Sequence, residues 1–299
     1  LLQLAAAFYS DKAEEKTGPM SELGLSQETI DTAGTTLGVS GANEAKRVQK
    51  EYMQNHRLNI PTLLMADIIH GFRTIFPIPL ALGSTWDEAA VEKMAEISAK
   101  EAAVSGLHVT FSPMVDLVRD PRWGRVMEST GEDPLLNSRL AAAMVRGYQG
   151  ENLKEDNWRV AACVKHFAAY GGALAGRDYN TVDMSERQLR EMYLPGYKAG
   201  LDAGAKLVMT SFNTVDGIPA TGNQWLFRDV LRNEFGFEGV VISDWGAIKE
   251  LIPHGVAKDE KQAAELAIKA GVDIEMMTTC YPDYLKELLE EGRIAETLI

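Results

Sequence analysis

Eight short, almost wholly apolar runs alternate along this chain with longer segments of helical period, and that alternation limits the fold to the α/β class. The runs are Leu1–Phe8, Thr35–Val39, Thr62–Ala66, His108–Ser112, Val160–Phe167, Lys206–Ser211, Gly239–Ser243 and Val272–Met276. A strand that is apolar at nearly every position must be covered on both faces, as in a parallel sheet wrapped by helices. Between the runs, Asp87–Val104 carries Ala90, Met94, Ile97 and Val104 at helical spacing behind Asp87 as N-cap. Asp259–Ala270 does the same with Ala263, Leu266, Ala267 and Ala270, and Gly271 follows as the stop. The expected fold is a (β/α)8 TIM-like barrel forming a single domain over residues 1–299; an open doubly wound sheet fits the alternation nearly as well.

Three of the runs stop on ionisable residues. Thr62–Ala66 is followed by Asp67, Val160–Val164 by Lys165 and His166, and Gly239–Ser243 by Asp244 and Trp245. In a barrel the C-terminal ends of the strands converge on one face, where sites are built. A buried ion pair explains any one of these residues, but three at corresponding strand ends point to a site. The segment Arg119-Asp-Pro-Arg-Trp-Gly-Arg125 adds four charges around one tryptophan. Arg125 is expected to point into the pocket, ahead of Arg122. Such groups suit sugar chemistry: a carboxylate to face an oxocarbenium-like carbon, and dense donors and acceptors for hydroxyls. Trp245 and Trp123 offer faces on which a pyranose ring could stack, although a tryptophan is more often core.

Composition narrows the partners. The formal net charge of -13 disfavours nucleic acid and anionic membrane surfaces, and it is neutral toward an uncharged sugar. No apolar stretch reaches membrane-spanning length. The two cysteines make no disulfide framework, and Cys163 reads as a small buried hydrophobe. No glycine-rich phosphate loop follows a strand, and Gly171-Gly172 reads as a turn. The five histidines show no ligand spacing, so no cofactor or metal is expected and a metal-dependent lyase or isomerase barrel is the weaker reading.

Ala66-Asp-Ile-Ile-His-Gly71, Phe76-Pro-Ile-Pro79, Phe111-Ser-Pro-Met-Val-Asp116, Arg119–Arg125 and Gly131-Glu-Asp-Pro134 form one ordered set of motifs. Val164-Lys-His-Phe-Ala-Ala-Tyr-Gly171, Tyr179-Asn-Thr-Val-Asp183, Tyr193-Leu-Pro195 and Gly236–Trp245 continue it. With these the chain resembles glycoside hydrolase family 3, in its bacterial β-glucosidase and β-xylosidase branch, over roughly residues 40–299. The resemblance implies that Asp244 is the nucleophile of a retaining mechanism. It implies that Asp67, Arg125, Lys165, His166 and Arg177 bind sugar hydroxyls, and that Met209, Trp245 and Met276 line the same subsite. Phe212 stands where many relatives have tyrosine, which removes a phenol beside the nucleophile. The stretch Phe167–Pro195 contains no histidine, against the N-acetylglucosaminidase branch.

The resemblance also implies an acid/base glutamate in a following C-terminal domain, so the chain is expected to be a barrel truncated at both ends. Glu128 and Glu132 are the nearest carboxyls by loop position and are read as structural. The expected partner is a β-linked oligosaccharide or glycoside, acted on together with that further domain. The alternative is a sugar-binding barrel without turnover. The resemblance points to a periplasmic or secreted parent, with a cytoplasmic one left open.

Overall fold

The computed structural model describes residues 4–9, 25–39, 41–179 and 181–299. In chain order its strands are β1 (Ala5–Phe8), β2 (Thr35–Leu37), β3 (Leu63–Ala66), β4 (Val109–Thr110) and β5 (Ala161–Phe167). They continue with β6 (Leu207–Thr210), β7 (Thr214–Val215), β8 (Ile218–Pro219), β9 (Val240–Ile242) and β10 (Glu275–Met276). Eight of them pair in parallel in the order β10-β1-β2-β3-β4-β5-β6-β9. A parallel bridge between Ile242 and Ile274 brings the two ends together, so the sheet is a nearly closed barrel with helices around it. Each expected run contains one of these strands, trimmed at its ends; Leu1–Gln3 of the first lie outside the described residues.

Side chains alternate between two apolar layers. Met65, Cys163, Leu207, Met209 and Ile242 point into the barrel. Their neighbours Leu64, Val164, Val208 and Val241 pack outward against the helices. Period two with both faces buried is what makes the runs apolar throughout. Cys163 is fully buried within the inner layer, as its sequence neighbourhood suggested.

The helix Glu88–Val104 is capped by Asp87, whose Oδ1 accepts from Ala90 N at 3.0 Å. Its buried face keeps Met94 of the expected stripe and otherwise lies to one side of it. Val91, Met94, Ala95, Ser98, Ala99 and Ala102 face the core, while Ala90 and Val104 are exposed. The reason is close packing against the helix Pro134–Gln149, where a Cβ on Gly147 would lie 2.3 Å from Glu92 O and 2.6 Å from Ala95 Cβ. Small residues set this contact, and a stripe chosen for bulk misses it. The helix Glu260–Ala270 follows expectation, with Asp259 as N-cap and Gly271 at φ +108° as stop.

The β7–β8 ribbon is an antiparallel hairpin turning at Asp216 and Gly217, both at positive φ. Among the described residues no helix is long and apolar enough to cross a membrane.

Candidate active site

A cavity of about 390 Å³ opens where the barrel strands end. It is lined by Leu37, Asp67, Ile69, Phe111, Arg125, Glu128, Lys165, His166, Met209, Asp244, Trp245 and Met276. β3 delivers Asp67, β5 delivers Lys165 and His166, β6 delivers Met209, and β9 delivers Asp244 two residues past its end. The peptide bonds Lys165–His166 and Phe167–Ala168 are cis.

Lys165 Nζ donates to Asp67 Oδ1 at 2.6 Å; the lysine side chain is buried and the aspartate open to solvent. Arg125 lies over the Tyr170 ring and donates twice to Glu128, through Nε at 2.7 Å and Nη2 at 2.9 Å. Burial disfavours the Arg125 charge, yet Glu128, Asp244 and Asp116 outweigh it and hold the guanidinium firmly protonated. For Glu128, burial would raise the carboxyl, but the Arg125 hydrogen bonds and the Lys165 charge leave it below its ordinary value. A carboxyl held ionised in this way is a poor proton donor. Glu132 is exposed.

Asp244 is 8% exposed. Its backbone N–H donates to Thr210 Oγ1 at 3.2 Å, and its Oδ1 accepts from Trp245 N at 2.6 Å. Oδ2 has no hydrogen-bond partner and lies 3.3 Å from His166 Nε2. Burial raises the Asp244 carboxyl, opposed by His166 and Lys165 and then by the Trp245 N–H and Arg125. The other face of His166 meets Asp116, with Nδ1 2.8 Å and the backbone N 3.1 Å from Oδ2. Tyr197 Oη sits 2.7 Å from Asp116 Oδ1 and 2.6 Å from the His166 carbonyl.

Several expected residues fall elsewhere. Arg177 is exposed, just past the turn Leu174–Gly176, and is not among the cavity-lining residues. Phe212 is buried against Tyr170 and Tyr179, behind the lining. Trp123 is not a stacking platform: it is 1% exposed, edge-on to Tyr170, with Nε1 donating to Asp178 at 3.0 Å. Arg122 turns outward to pair with Asp120. Trp245 does reach the cavity.

Two carboxyls near the site were not among the expected site residues. Asp116 is fully buried behind His166. Glu250 is half-buried on the turn Lys249–Leu251, one short loop beyond Asp244, with its backbone N donating to Gly246 O at 3.1 Å. Burial and the Asp244 charge push its carboxyl up to about 7. Among the described residues no group of three or more His, Cys, Asp or Glu side chains is arranged to hold a metal ion.

Residues 29–299 match the family described as Glycosyl hydrolase family 3 N terminal domain. The chain is 48% identical over 261 residues to a periplasmic β-glucosidase of Salmonella typhimurium, covering 87% of the chain and 34% of that protein. It is 35% identical over 289 residues to a β-xylosidase of Formosa agariphila, covering 92% and 40%. The crystal structure of a Listeria innocua β-glucosidase in complex with isofagomine superposes with a TM-score of 0.94 at 57% identity, over 99% of this chain and 42% of that one. The chain therefore spans between a third and a half of the length of these relatives.

Proposed function

The chain belongs to glycoside hydrolase family 3, and from that premise we propose that it carries the nucleophile half of a retaining β-glycosidase site, with Asp244 attacking the anomeric carbon of a terminal β-D-glucosyl residue. The observation that carries this reading is Asp244 itself: a buried carboxylate at a strand end, with Oδ1 fixed by the Trp245 N–H and Oδ2 unpartnered on the cavity. Desolvation and an unpaired lone pair are what a nucleophilic carboxylate needs. Asp67, Lys165, Arg125 and His166 surround the space a sugar ring would fill and supply charged hydrogen-bond partners for its hydroxyls. Glucose is favoured because the Salmonella typhimurium and Listeria innocua relatives are β-glucosidases, and the latter has been seen with glucose. A xylosyl substrate is the alternative that the Formosa agariphila relative suggests.

Asp244 Oδ2 forms the new bond to the anomeric carbon as the bond to the leaving oxygen breaks. The leaving oxygen takes a proton from an acid, and water later releases the sugar with its configuration retained. Of the cavity carboxyls, Asp67 is committed to Lys165 and Glu128 to Arg125. We place the acid/base outside the cavity lining, on a part of the parent protein beyond this barrel. The chain alone should then hydrolyse alkyl glycosides slowly, while a 2,4-dinitrophenyl glucoside, whose leaving group needs no proton, still reacts.

A 2-deoxy-2-fluoroglucoside with that same leaving group tests the nucleophile. A covalent glycosyl ester mapped to Asp244 is expected. Saturable binding without an adduct would instead mean a sugar-binding barrel without turnover.

Glu250 favours a second reading of the proton donor. A carboxyl whose value is raised to about 7 is protonated below that pH and loses its proton above it. If Glu250 is the donor, Glu250→Gln lowers alkyl glucoside hydrolysis by roughly 10²–10⁴-fold, spares the dinitrophenyl substrate and removes the alkaline limb of the pH profile. If the donor lies beyond this barrel, both substrates respond alike to the substitution.

A further inference from the structure

Behind the cavity, the protons of one buried cluster can be counted. Tyr197 Oη makes two short contacts, at 2.7 Å to Asp116 Oδ1 and 2.6 Å to the His166 carbonyl oxygen, and it accepts from Ala169 N at 3.2 Å. Both are O–H···O distances with the phenol as donor. The phenol owns one hydrogen and a carbonyl owns none. That hydrogen is shared between Asp116 Oδ1 and the His166 carbonyl. Asp116 Oδ2 then accepts from the His166 backbone N–H at 3.1 Å and from Nδ1–H at 2.8 Å. A neutral imidazole with its hydrogen on Nδ1 presents a lone pair at Nε2. That nitrogen faces the cavity, 3.3 Å from the Asp244 Oδ2 that no donor satisfies.

We propose that Asp116 is a positioning residue, which with Tyr197 fixes His166 in its Nδ1–H tautomer and so aims an acceptor, not a donor, at a sugar hydroxyl beside Asp244. The assignment of the acceptor to a sugar rests on the glycosidase reading above; the tautomer itself does not.

Burial favours the uncharged form of both partners. Asp116 is raised to about 6 by desolvation, against the Tyr197 hydrogen bond, the Arg125 charge, the His166 N–H and the Lys165 charge. His166 is lowered to about 3 by desolvation and the Arg125 charge, with Lys165 adding to them and Asp244 and Glu128 opposing. These are the charged groups that face the pair. With His166 neutral, the counter-charge for Asp244 falls to Lys165 and Arg125. A substrate hydroxyl donating to Nε2 relieves a site where two acceptors otherwise face each other, and a substrate lacking that hydroxyl would not.

Nitrogen NMR of imidazole-labelled protein, with the His166 signals assigned by loss in His166→Gln, tests this without requiring turnover. At about pH 5, where an ordinary imidazole is cationic, His166 should show one protonated nitrogen, Nδ1, and one bare nitrogen, Nε2. Asp116→Asn, whose amide donates to Tyr197 and accepts from Nδ1–H, should hold the same pattern. Asp116→Leu should lose the pattern and raise KM for the dinitrophenyl glucoside about tenfold or more with a smaller change in kcat, and Asn should restore most of that loss. Two protonated nitrogens at about pH 5, or a hydrogen on Nε2 alone, would overturn the proposal whatever the fate of the glycosidase reading. So would Asn behaving like Leu, since an amide oxygen can accept the same Nδ1–H.

Discussion

Asp244→Gly should reduce hydrolysis of a dinitrophenyl glucoside by on the order of 10⁴-fold or more, the scale seen when a residue that forms the covalent intermediate is removed. The side chain contributes at two levels. Chemically, its Oδ2 is the unpartnered carboxylate oxygen at the cavity and the atom that would bond to the sugar. Structurally, Oδ1 accepts from Trp245 N, which sets where the Trp245 side chain leaves the backbone. Glycine empties the first role and loosens the second, so binding should weaken less than turnover falls. The void it leaves sits beside Lys165 and Arg125, the two cations that offset the aspartate's charge. A small anion such as azide should therefore enter it and attack the same face of the sugar. Partial recovery with azide, giving a glycosyl azide of inverted configuration, identifies a lost nucleophile. A variant within about tenfold of the parent, or one that azide leaves unchanged, would remove Asp244 from the chemistry.

The strands were legible because burial on both faces writes itself into composition: Val160–Val164 is apolar at every position whether or not its neighbours are known. The strand-end residues were legible for a related reason. Asp67, Lys165, His166 and Asp244 each interrupt an apolar run where nothing in strand packing asks for a charge, and all four line one cavity. Partnerships were not legible. Asp116 and Tyr197 meet His166 from 50 and 31 residues away, through contacts that only closure of the barrel creates. Glu250 lies on an unremarkable loop sequence, and its raised carboxyl depends on burial beside Asp244. Trp123 and Arg125 are two residues apart, yet one fills the core and the other faces the cavity, and the sequence of a loop does not decide which. The hairpin at Asp216-Gly217 is a different case. Its dipeptide carries the turn signal, but strands of two residues leave no apolar pattern to flank it.

Glu275→Leu should cost about 3–5 kcal/mol of folding stability, although the residue touches no sugar in any reading of the site. Its carboxylate is fully buried in β10, the end strand of the barrel sheet that pairs with β1. Oε1 accepts from Thr278 Oγ1 at 2.5 Å and from Cys280 N at 2.9 Å, and Oε2 accepts from Tyr281 N at 2.6 Å. The two amides open the helix Cys280–Glu290, whose N-cap Thr279 makes no side-chain cap of its own, so Glu275 does the capping from the strand. Leucine fills the volume but leaves two N–H groups and a hydroxyl without partners where water does not reach, each a loss of about 1–3 kcal/mol before relaxation. Glutamine keeps one acceptor and turns a donor toward the remaining N–H, so it should fall between the two. In a denaturant titration the midpoint should drop with the slope unchanged, the sign of lost stability in an otherwise similar fold. The same strand carries the site: Met276 N donates to Ser243 Oγ at 2.8 Å, and Gly246 N donates to Met276 O at 3.0 Å, on either side of Asp244. Activity per folded molecule should therefore decline well before global unfolding as the Leu variant is warmed. A Leu variant within about 1 kcal/mol of the parent would mean that the helix start finds other acceptors, and that the barrel does not depend on this carboxylate to place its last strand.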